Sequence, residues 1–374
     1  SINYVEDQAG VYAMDVDKRI EMIKRNTVEI VTEEELREAL IAGKKLRGYI
    51  GFEPSGITHI GWLIWMYKFK DLVNAGIEMT LFVATWHAWI NDKLGGNMEL
   101  IRASANHVVK VLEILGIDAS RFNVIYADEL VERSSYWEKI LRMSKRVSLS
   151  RAKRALTIMG RRAEEAELDF SKLLYPFMQV ADIFEMDLDI ALGGIDQRKA
   201  HMLARDIAEK MGWKKTIAIH TPLLPSLRGT TKMVSVEGEV DDVLSQVKMS
   251  KSKPEEAILV TDSDENILNK IRSAHCPPRD VSDNPVIAIA KYIIFAEEPK
   301  KFVIERQAKY GGTIEVYTYR ELEELYSGGK LHPLDLKNAV AEELIKIIKP
   351  IRESLQKELE LWKNLTEIER SITR

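Results

Sequence analysis

The chain has 374 residues, which is more than one ordinary domain holds and which predicts two domains. Its 45% hydrophobic and 30% charged residues are typical of a soluble globular protein and exclude a disordered chain. The net charge of −4 argues against a generally basic nucleic-acid binder, so any contact with nucleic acid must depend on local groups of basic residues.

Targeting segments and metal-binding patterns are not evident. No apolar run approaches the roughly 18 residues that a membrane span needs, and residues 1–17 are too acidic and too broken for a secretory signal. We therefore expect a cytoplasmic protein. The single cysteine, Cys276, excludes an internal disulfide and a cysteine-rich zinc site, and the seven histidines show no ligand spacing. We predict no protein-bound zinc or other transition metal.

The first third of the chain alternates between helix and strand patterns. Residues 1–14 form an extension with little periodicity, and a helix is predicted from Asp15. A second helix begins at Thr32, where Glu35 completes a capping box. Strands and helices then alternate at 46–52, 61–75, 78–84, 100–115 and 123–126. This alternation predicts a Rossmann-like parallel sheet covered by helices, with ligands at the carboxyl ends of the strands.

A helical insertion interrupts the predicted sheet at about 127–185. Between Arg142 and Arg162 it carries eight basic residues and no acidic one, a pattern of either a solvated helix face or a phosphate-binding surface. Strand patterns return at 188–192 and 216–220, separated by a helix. The insertion therefore divides one nucleotide-binding sheet into two halves.

Beyond residue 262 the pattern becomes mainly helical. A β-hairpin is predicted around 302–317, and Pro350 is expected to kink or interrupt the last helix. The helices are predicted at 264–275, 285–296, 319–327 and 335–362. We therefore expect a nucleotide-binding α/β domain at 15–261 and a mainly α-helical domain at 262–374.

Two loops carry candidate phosphate-binding groups. Residues 48–62 pass from a strand through Pro-Ser-Gly into a helix that contains His59 and Gly61, and free N–H groups at such a helix start bind phosphates. Residues 248–252, Lys-Met-Ser-Lys-Ser, offer two ammonium groups and two hydroxyls to a polyphosphate. Each loop alone is common in proteins, but the two loops together, in a sheet that an insertion interrupts, are a much more specific indication of polyphosphate binding.

These two stretches resemble the HIGH and KMSKS signatures of class I aminoacyl-tRNA synthetases. From about residue 15 onward, the chain resembles the tyrosyl-tRNA synthetases of the archaeal and eukaryotic type. The resemblance includes Gly-Tyr-Ile-Gly-Phe-Glu-Pro-Ser-Gly at 48–56, Tyr-Pro-Phe-Met-Gln-Val-Ala-Asp at 175–182, Gly-Gly-Ile-Asp-Gln-Arg-Lys-Ala-His at 193–201 and Leu-His-Pro-Leu-Asp-Leu-Lys-Asn at 331–338.

The resemblance implies that ATP activates tyrosine by in-line attack of a carboxylate on the α-phosphate, so that catalysis rests on positioning and on electrostatic stabilisation. His59, Lys248 and Lys251 would act on the phosphates and the leaving pyrophosphate. Further ATP contacts are implied for Gly61, Gly194, Asp196, Met249 and Ser250. Mg²⁺ would accompany ATP and be held mainly by phosphates and water.

Three polar residues predict the amino-acid pocket. Tyr175, Gln179 and Asp182 follow an i, i+4, i+7 spacing and share one helix face, which favours a polar ligand over a satisfied polar helix face. By resemblance, Tyr175, Gln179 and Gln197 would hold the α-ammonium group, and Tyr49 and Asp182 the phenol hydroxyl. Further pocket residues would be Gly51, Glu53, Ala84 and His87.

Contacts with tRNA are implied in both domains. Arg154 and Arg198 match positions that read the acceptor stem, while Tyr310, His332 and Asp335 match positions that read the anticodon. A hairpin residue is the alternative for Tyr310, and a helix N-terminus the alternative for His332. The resemblance also implies a homodimer.

Several alternatives stay open at this point. Trp62 departs from the HIGH signature, where a small polar residue or histidine is usual, so a side-chain contact with phosphate there is in doubt. A tryptophanyl-tRNA synthetase has the same architecture, although Tyr49 with Asp182 favours a phenol over an indole. A catalytically silent RNA-binding protein and a small nucleotidyltransferase are the other candidates.

Overall fold

The structure, a computed structural model, describes residues 15–159, 168–229, 248–250 and 253–372. The chain divides into two compact units. Unit 1 contains the described parts of Ser1–Gly56, Lys68–Pro222 and Asn364–Arg374, and unit 2 those of Ile57–Tyr67 and Leu223–Lys363. The domain boundary near residue 261 stays a prediction, and the extension predicted at 1–14 lies outside the described residues.

Unit 1 is built on a six-stranded sheet. Its strands are β1 (Glu29–Val31), β2 (Arg47–Phe52), β3 (Glu78–Val83), β4 (Asn123–Tyr126), β5 (Ile190–Gly194) and β6 (Ile217–Thr221), in the order β1-β6-β5-β2-β3-β4. Strands β2 to β6 pair in parallel, and β1 pairs antiparallel with β6. The predicted Rossmann-like α/β fold is confirmed.

Ten helices accompany this sheet along the described chain. They are α1 (Val16–Lys24), α2 (Glu33–Ile41), α3 (Trp62–Asn74), α4 (Thr85–Ile90), α5 (Met98–Ile114), α6 (Ala127–Val131), α7 (Ser134–Ser144), α8 (Leu149–Arg154), α9 (Ser171–Glu185) and α10 (Arg198–Met211). Helices α6 to α9 form the predicted insertion between β4 and β5. Helix α3 begins in unit 2 and continues into unit 1.

Local chemistry sets several of these helix ends. Asp15 caps α1 by accepting from the Lys18 N–H at 2.7 Å, and the Thr32–Glu35 capping box predicted for α2 is present. The residue after Leu115, Gly116, has φ +99°, a left-handed conformation that ends α5 at little steric cost. These ends could be predicted because each depends on residues close together in the sequence.

Two elements of unit 1 were not predicted. Strand β1 has three residues and α4 has six, so neither is long enough to show a hydrophobic period. Strand β1 forms through its pairing with β6, where Ile30 lies opposite Ile219. The tertiary structure therefore adds an antiparallel edge to a sheet whose sequence predicts parallel strands.

Unit 2 is mainly helical within its described residues. Its helices are α11 (Asp264–Arg272), α12 (Pro285–Ile289), α13 (Tyr319–Ser327), α14 (Pro333–Lys357) and α15 (Leu359–Ile372), the last of which continues into unit 1. The predicted hairpin is present as β7 (Phe302–Ile304) paired antiparallel with β8 (Ile314–Val316).

Of the two expectations for Pro350, a kink or an interruption of the last helix, the interruption is wrong. Helix α14 runs through Pro350 and ends at Lys357, where Glu358 leaves the helical conformation. Its apolar side, with Leu344, Ile348 and Ile351, is fully buried, so packing offsets the missing backbone hydrogen bond.

Among the described residues, no helix combines the length and the hydropathy that crossing a membrane requires.

A chain of hydrogen bonds ties β1 to the sheet and to α10. His201 of α10 is buried and shares a 2.8 Å hydrogen bond with His220 of β6, whose other ring nitrogen lies 2.9 Å from Glu29 of β1. Burial lowers the pKa of His201 to about 3, and the neighbouring His220 adds to the shift. Burial also lowers the pKa of His220, despite the Glu29 carboxylate beside it. Both imidazoles are therefore neutral in the folded protein.

This buried pair predicts a loss of stability in mild acid. A histidine whose folded pKa lies far below its unfolded value of about 6.5 takes up a proton when the protein unfolds. The free energy of unfolding should therefore fall as the pH drops below 6.5, by about 2 kcal/mol between pH 7 and pH 5 for His201 alone. Urea denaturation at both pH values measures the change. His201→Gln should flatten this dependence, and equal slopes in the two proteins would contradict it.

Candidate active site

Asp182 is the buried centre of a polar pocket in unit 1. It lies on α9, is 1% exposed and has a hydrogen-bond partner on each carboxylate oxygen. The Tyr136 hydroxyl donates to Oδ1 at 2.7 Å, and His87 Nε2 lies 2.7 Å from Oδ2. Because an ionised carboxylate only accepts hydrogen bonds, His87 donates through Nε2. Asp182 is thus a carboxylate that two different helices hold in place.

Tyr49 lies in the same buried cluster, at the middle of β2. Burial raises the pKa of Tyr49, and the negative charge of Asp182 raises it further. The Tyr49 hydroxyl therefore keeps its proton and can both donate and accept a hydrogen bond. The family resemblance implies that Tyr49 and Asp182 form one site, and the electrostatic influence of Asp182 on Tyr49 shows that the two side chains are close; their shared role stays a prediction.

Tyr175 lies about two helical turns before Asp182 on α9. Its hydroxyl donates to Glu53 Oε1 at 2.5 Å, and the same carboxylate accepts from Asn91 Nδ2 at 3.1 Å. Since the Tyr175 proton is used by Glu53, the lone pairs of its oxygen remain to accept a hydrogen bond from a ligand. The rings of Tyr175 and His87 meet edge to face at 5.6 Å, which connects this group to Asp182.

The orientation of the Gln179 side-chain amide follows from a chain of hydrogen bonds. Gln197 Nε2 donates to the carbonyl of Ile158 at 3.3 Å, so Gln197 Oε1 is the acceptor for Gln179 Nε2 at 2.9 Å. Since Gln179 Nε2 is used in this bond, Gln179 Oε1 remains as an acceptor that neither glutamine uses. An acceptor in this position suits a ligand ammonium group.

Two buried side-chain atoms in the described part of the chain have no hydrogen-bond partner, His87 Nδ1 and Gln179 Oε1. Both belong to residues predicted for the pocket. A buried polar atom without a partner costs free energy, and such atoms are frequent where a ligand binds. The pocket can therefore form further hydrogen bonds at His87 Nδ1 and at Gln179 Oε1.

Small residues leave room beside these groups. A Cβ atom on Gly51 of β2 would lie 3.3 Å from the Phe82 ring and 3.5 Å from the Tyr49 ring. Ala84 is buried at the start of α4, three residues before His87. Tyr49 thus lies at the middle of β2, Gly51 near the carboxyl end of β2, and Ala84 directly after the carboxyl end of β3.

The part of the HIGH-like stretch that contains His59 and Gly61 lies in unit 2. His59 Nδ1 accepts from the Gly61 N–H at 3.0 Å, and a Cβ on Gly61 would lie 2.6 Å from the His59 ring. The Trp62 ring is 6.2 Å from His59 and 5.9 Å from Trp65. A glycine at position 61 is therefore required by the packing of His59 itself.

The KMSKS-like stretch lies in the same unit. The Met249 N–H donates to the Leu224 carbonyl at 2.8 Å, and the Cβ of Leu224 is 3.4 Å from the place of a Cβ on Gly61. Leu224 thus lies next to Gly61 of the first signature and forms a hydrogen bond with Met249 of the second, about 190 residues later in the sequence. Lys248 forms a β-bridge with Pro225, and Ser250 follows Met249. Lys251 lies outside the described residues.

The residues predicted for the ribose and the acceptor stem lie in unit 1. Gly194 ends β5, and Asp196 follows in a short 3₁₀ turn. Arg198 opens α10, and its Nε donates to Glu29 Oε1 at 2.6 Å. Arg154 ends α8, is exposed and donates to Ser150 Oγ at 3.1 Å. Glu29 was not predicted, because β1 was not.

The three residues predicted for the anticodon line one cavity of about 950 Å³ in unit 2. Tyr310 is 62% exposed, with the Lys309 ammonium 4.9 Å from its ring centre. His332 caps α14 by accepting from the Leu334 N–H at its Nδ1, which places its proton on Nε2. Asp335 follows in the first turn of α14. The same cavity is also lined by Arg279, Arg306 and Lys330.

Two residues of the polar pocket around Asp182 escaped prediction. Tyr136 lies on the buried side of α7, and Asn91 follows α4. A tyrosine on the apolar face of an amphipathic helix has the spacing of any core residue, so its contact with Asp182, 46 residues away, left no signal in the sequence.

Comparison with known proteins decides the family. A family model described as tRNA synthetases class I (W and Y) matches residues 42–349. A tyrosine–tRNA ligase from Aeropyrum pernix is 58% identical over 361 residues, which are 96% of this chain and 99% of that relative. The chain belongs to the class I tyrosyl-tRNA synthetases. The resemblance inferred from the sequence motifs is confirmed.

Solved structures of tyrosyl-tRNA synthetases share the fold of this chain. The crystal structure of the Aeropyrum pernix tyrosyl-tRNA synthetase is 53% identical, with a TM-score of 0.85 over 95% of this chain and 99% of that one. The tyrosyl-tRNA synthetase from Pyrococcus horikoshii, solved in complex with L-tyrosine, is 43% identical, with a TM-score of 0.87 over 95% of this chain and 100% of that one. The chain is an aminoacyl-tRNA synthetase, an enzyme that uses ATP to attach an amino acid to tRNA. The tryptophanyl and catalytically silent alternatives are not favoured.

Proposed function

We propose that the pocket around Asp182 binds L-tyrosine, which the enzyme activates with ATP to tyrosyl-adenylate and then transfers to tRNA(Tyr). The observation that carries this proposal is the pairing of a fixed buried carboxylate, on Asp182, with an unpartnered amide oxygen, on Gln179. Both lie on one face of α9. Tyrosine carries a hydroxyl donor at one end and an ammonium donor at the other, which is the matching pattern.

The ammonium end of the substrate would meet three acceptors. Gln179 Oε1 has no partner among the described residues, and the Tyr175 oxygen keeps its lone pairs because its proton points to Glu53. Gln197 Oε1 retains a second lone pair besides the one that accepts from Gln179. The nearby Glu53 carboxylate supplies the negative charge that a buried ammonium group requires.

The phenol end would meet Tyr49 and Asp182. Asp182 accepts from the phenol hydroxyl, and the protonated Tyr49 donates to the phenol oxygen. Phenylalanine would leave these buried groups with an unused hydrogen-bonding site, so it should be rejected strongly. His87, Gly51 and Ala84 complete the enclosure around the ring.

For ATP, the family resemblance supports two sets of contacts. His59, Lys248 and Lys251 would stabilise the phosphates and the pyrophosphate, with Gly61, Met249 and Ser250 beside them. Asp196 would accept from ribose hydroxyls, and Gly194 would allow the ribose to approach the backbone. Mg²⁺ would come with ATP and neutralise phosphate charge, held mainly by phosphates and water.

Isotopic exchange between pyrophosphate and ATP, run with each of the twenty amino acids, tests the activation step. Tyrosine should support exchange and phenylalanine should not. Exchange with tryptophan in place of tyrosine would overturn the specificity, and exchange with no amino acid would support a silent RNA-binding protein.

The same assay tests the role of Asp182. Asp182→Ala removes the acceptor for the phenol and leaves Tyr136 and His87 without their shared partner, so the KM for tyrosine should rise at least about 100-fold. The KM for ATP should stay close to its original value. An equal loss for both substrates would mean that Asp182 acts only on the fold.

We infer that the enzyme contacts tRNA through the cavity that contains Tyr310, His332 and Asp335. The exposed Tyr310 ring suits stacking on an unpaired base, and the Nε2 proton of His332 and the Asp335 carboxylate suit base edges. Arg279, Arg306 and Lys330 would attract the phosphates. At the acceptor stem, Arg154 and Arg198 are the proposed contacts.

Tyr310→Ala should separate charging from activation. Loss of a stacking base–aromatic contact should lower kcat/KM for tRNA roughly tenfold or more, while pyrophosphate exchange stays unchanged. Aminoacylation assays at varied tRNA concentration measure the effect. Tyr317→Ala is the matched control, because Tyr317 is also exposed in unit 2 but does not line this cavity. Equal effects of the two changes would contradict the proposed anticodon contact.

We further propose that the enzyme is a homodimer that pairs through α7. Trp137 and Leu141 lie four residues apart on this helix, so they share a face, and they are 38% and 69% exposed. A second copy of the chain would cover this apolar face, as the family resemblance implies. The cytoplasmic location expected from the sequence stays a prediction.

Leu141→Glu tests this interface. A charge buried between two copies should weaken the dimer, so the mass measured by sedimentation should shift from twice the 42.8 kDa of one chain toward that of one chain. Leu359→Glu is the control, because Leu359 is 81% exposed on a different helix. A wild-type protein that sediments as one chain would overturn the dimer proposal.

A further inference from the structure

Tyr136 lies against the proposed phenol site without belonging to the residues that the sequence predicted for it. It is on α7, in the insertion, and its side chain is fully buried. Its hydroxyl is 2.7 Å from Asp182 Oδ1 and 3.2 Å from the Met178 carbonyl. A hydroxyl has one proton, and the shorter contact to the charged acceptor takes it.

We propose that Tyr136 is a positioning residue that fixes the Asp182 carboxylate for recognition of the substrate phenol, with His87 fixing the other oxygen. This inference rests on the proposed binding of tyrosine. It assigns a role in specificity to a residue that would itself touch no substrate atom.

The geometry explains why two donors are needed. Rotation of the Asp182 carboxylate would break the bond from Tyr136 on Oδ1 and the bond from His87 on Oδ2 together. Each oxygen accepts one of these bonds and keeps a lone pair. The carboxylate therefore presents a free acceptor site at a fixed place, where a phenol hydroxyl can donate.

The packing around both donors restricts them in turn. The His87 ring meets the Phe82 ring edge to face at 5.7 Å and the Tyr175 ring at 5.6 Å. The Tyr136 ring meets the Trp137 ring at 5.6 Å. Burial, together with the charge of Asp182, also raises the pKa of Tyr136 well above its usual value, so the hydroxyl is always a donor.

A fixed carboxylate discriminates better than a mobile one. When phenylalanine binds in place of tyrosine, a mobile carboxylate turns toward another donor or toward water and recovers part of the lost free energy. A carboxylate held at both oxygens cannot do so, and its acceptor site stays unpaired. Tyr136 should therefore matter most for the choice between tyrosine and phenylalanine.

Tyr136→Phe removes the hydroxyl alone and keeps the ring, and pyrophosphate exchange measures the result. We expect the KM for tyrosine to rise roughly tenfold, and the ratio of kcat/KM for tyrosine to that for phenylalanine to fall by a similar factor. The kcat at saturating tyrosine and the KM for ATP should change by less than about twofold, because only binding of the amino acid is affected.

Tyr326→Phe is the matched control. Tyr326 is also fully buried and donates its hydroxyl to the Pro277 carbonyl at 2.7 Å, but it belongs to unit 2 and has no part in the hydrogen bonds to Asp182. It should change neither the KM for tyrosine nor the discrimination against phenylalanine.

The possible outcomes separate this proposal from the proposed function. Tyrosine-dependent exchange in the wild type with an unchanged KM and discrimination in Tyr136→Phe would overturn the positioning role alone. A parallel loss of thermal stability, kcat and ATP affinity would assign Tyr136 to the fold and also overturn it. Absence of tyrosine-dependent exchange in the wild type would instead overturn the proposed function.

Discussion

The buried carboxylate of Asp182 is the constraint on which the rest of the pocket depends. Removing an ionised carboxylate from water costs on the order of several kcal/mol, and the cost is tolerable only when hydrogen bonds replace the lost water. Here the replacements come from α7 and α4, through Tyr136 and His87. The fold must therefore hold three helices in register around one side chain, and the charge that results can be used to select a phenol.

The insertion takes part in both ends of the pocket. At the proposed phenol end it supplies Tyr136, and at the proposed ammonium end the carbonyl of Ile158 orients Gln197 and, through it, Gln179. The same helix that presents Tyr136 inward exposes Trp137 and Leu141 on its outside, where a second copy of the chain is proposed to pack. Dimer formation would then stabilise the element that fixes the recognition groups.

The two signature stretches depend on short-range contacts, unlike the pocket around Asp182. His59 and Gly61 are arranged by local backbone geometry, because the Gly61 N–H donates to the imidazole two residues before it. Leu224 then lies next to Gly61 and forms a hydrogen bond with Met249 of the second signature. The loop proposed to bind phosphates therefore needs few long-range contacts. The proposed amino-acid pocket, in contrast, depends on side chains that come from five separate elements of unit 1.

The sequence by itself determined the main strands and helices, the two signature loops and one polar face of α9, because each depends on residues within a few positions of one another. Tyr175, Gln179 and Asp182 could be found in this way. The tertiary structure alone decided that Tyr136 and His87 hold Asp182, across 46 and 95 residues of sequence, and that β1 joins the sheet. A short strand and a buried tyrosine have the same local pattern as a loop and a core residue, so only the packing of whole elements reveals their roles.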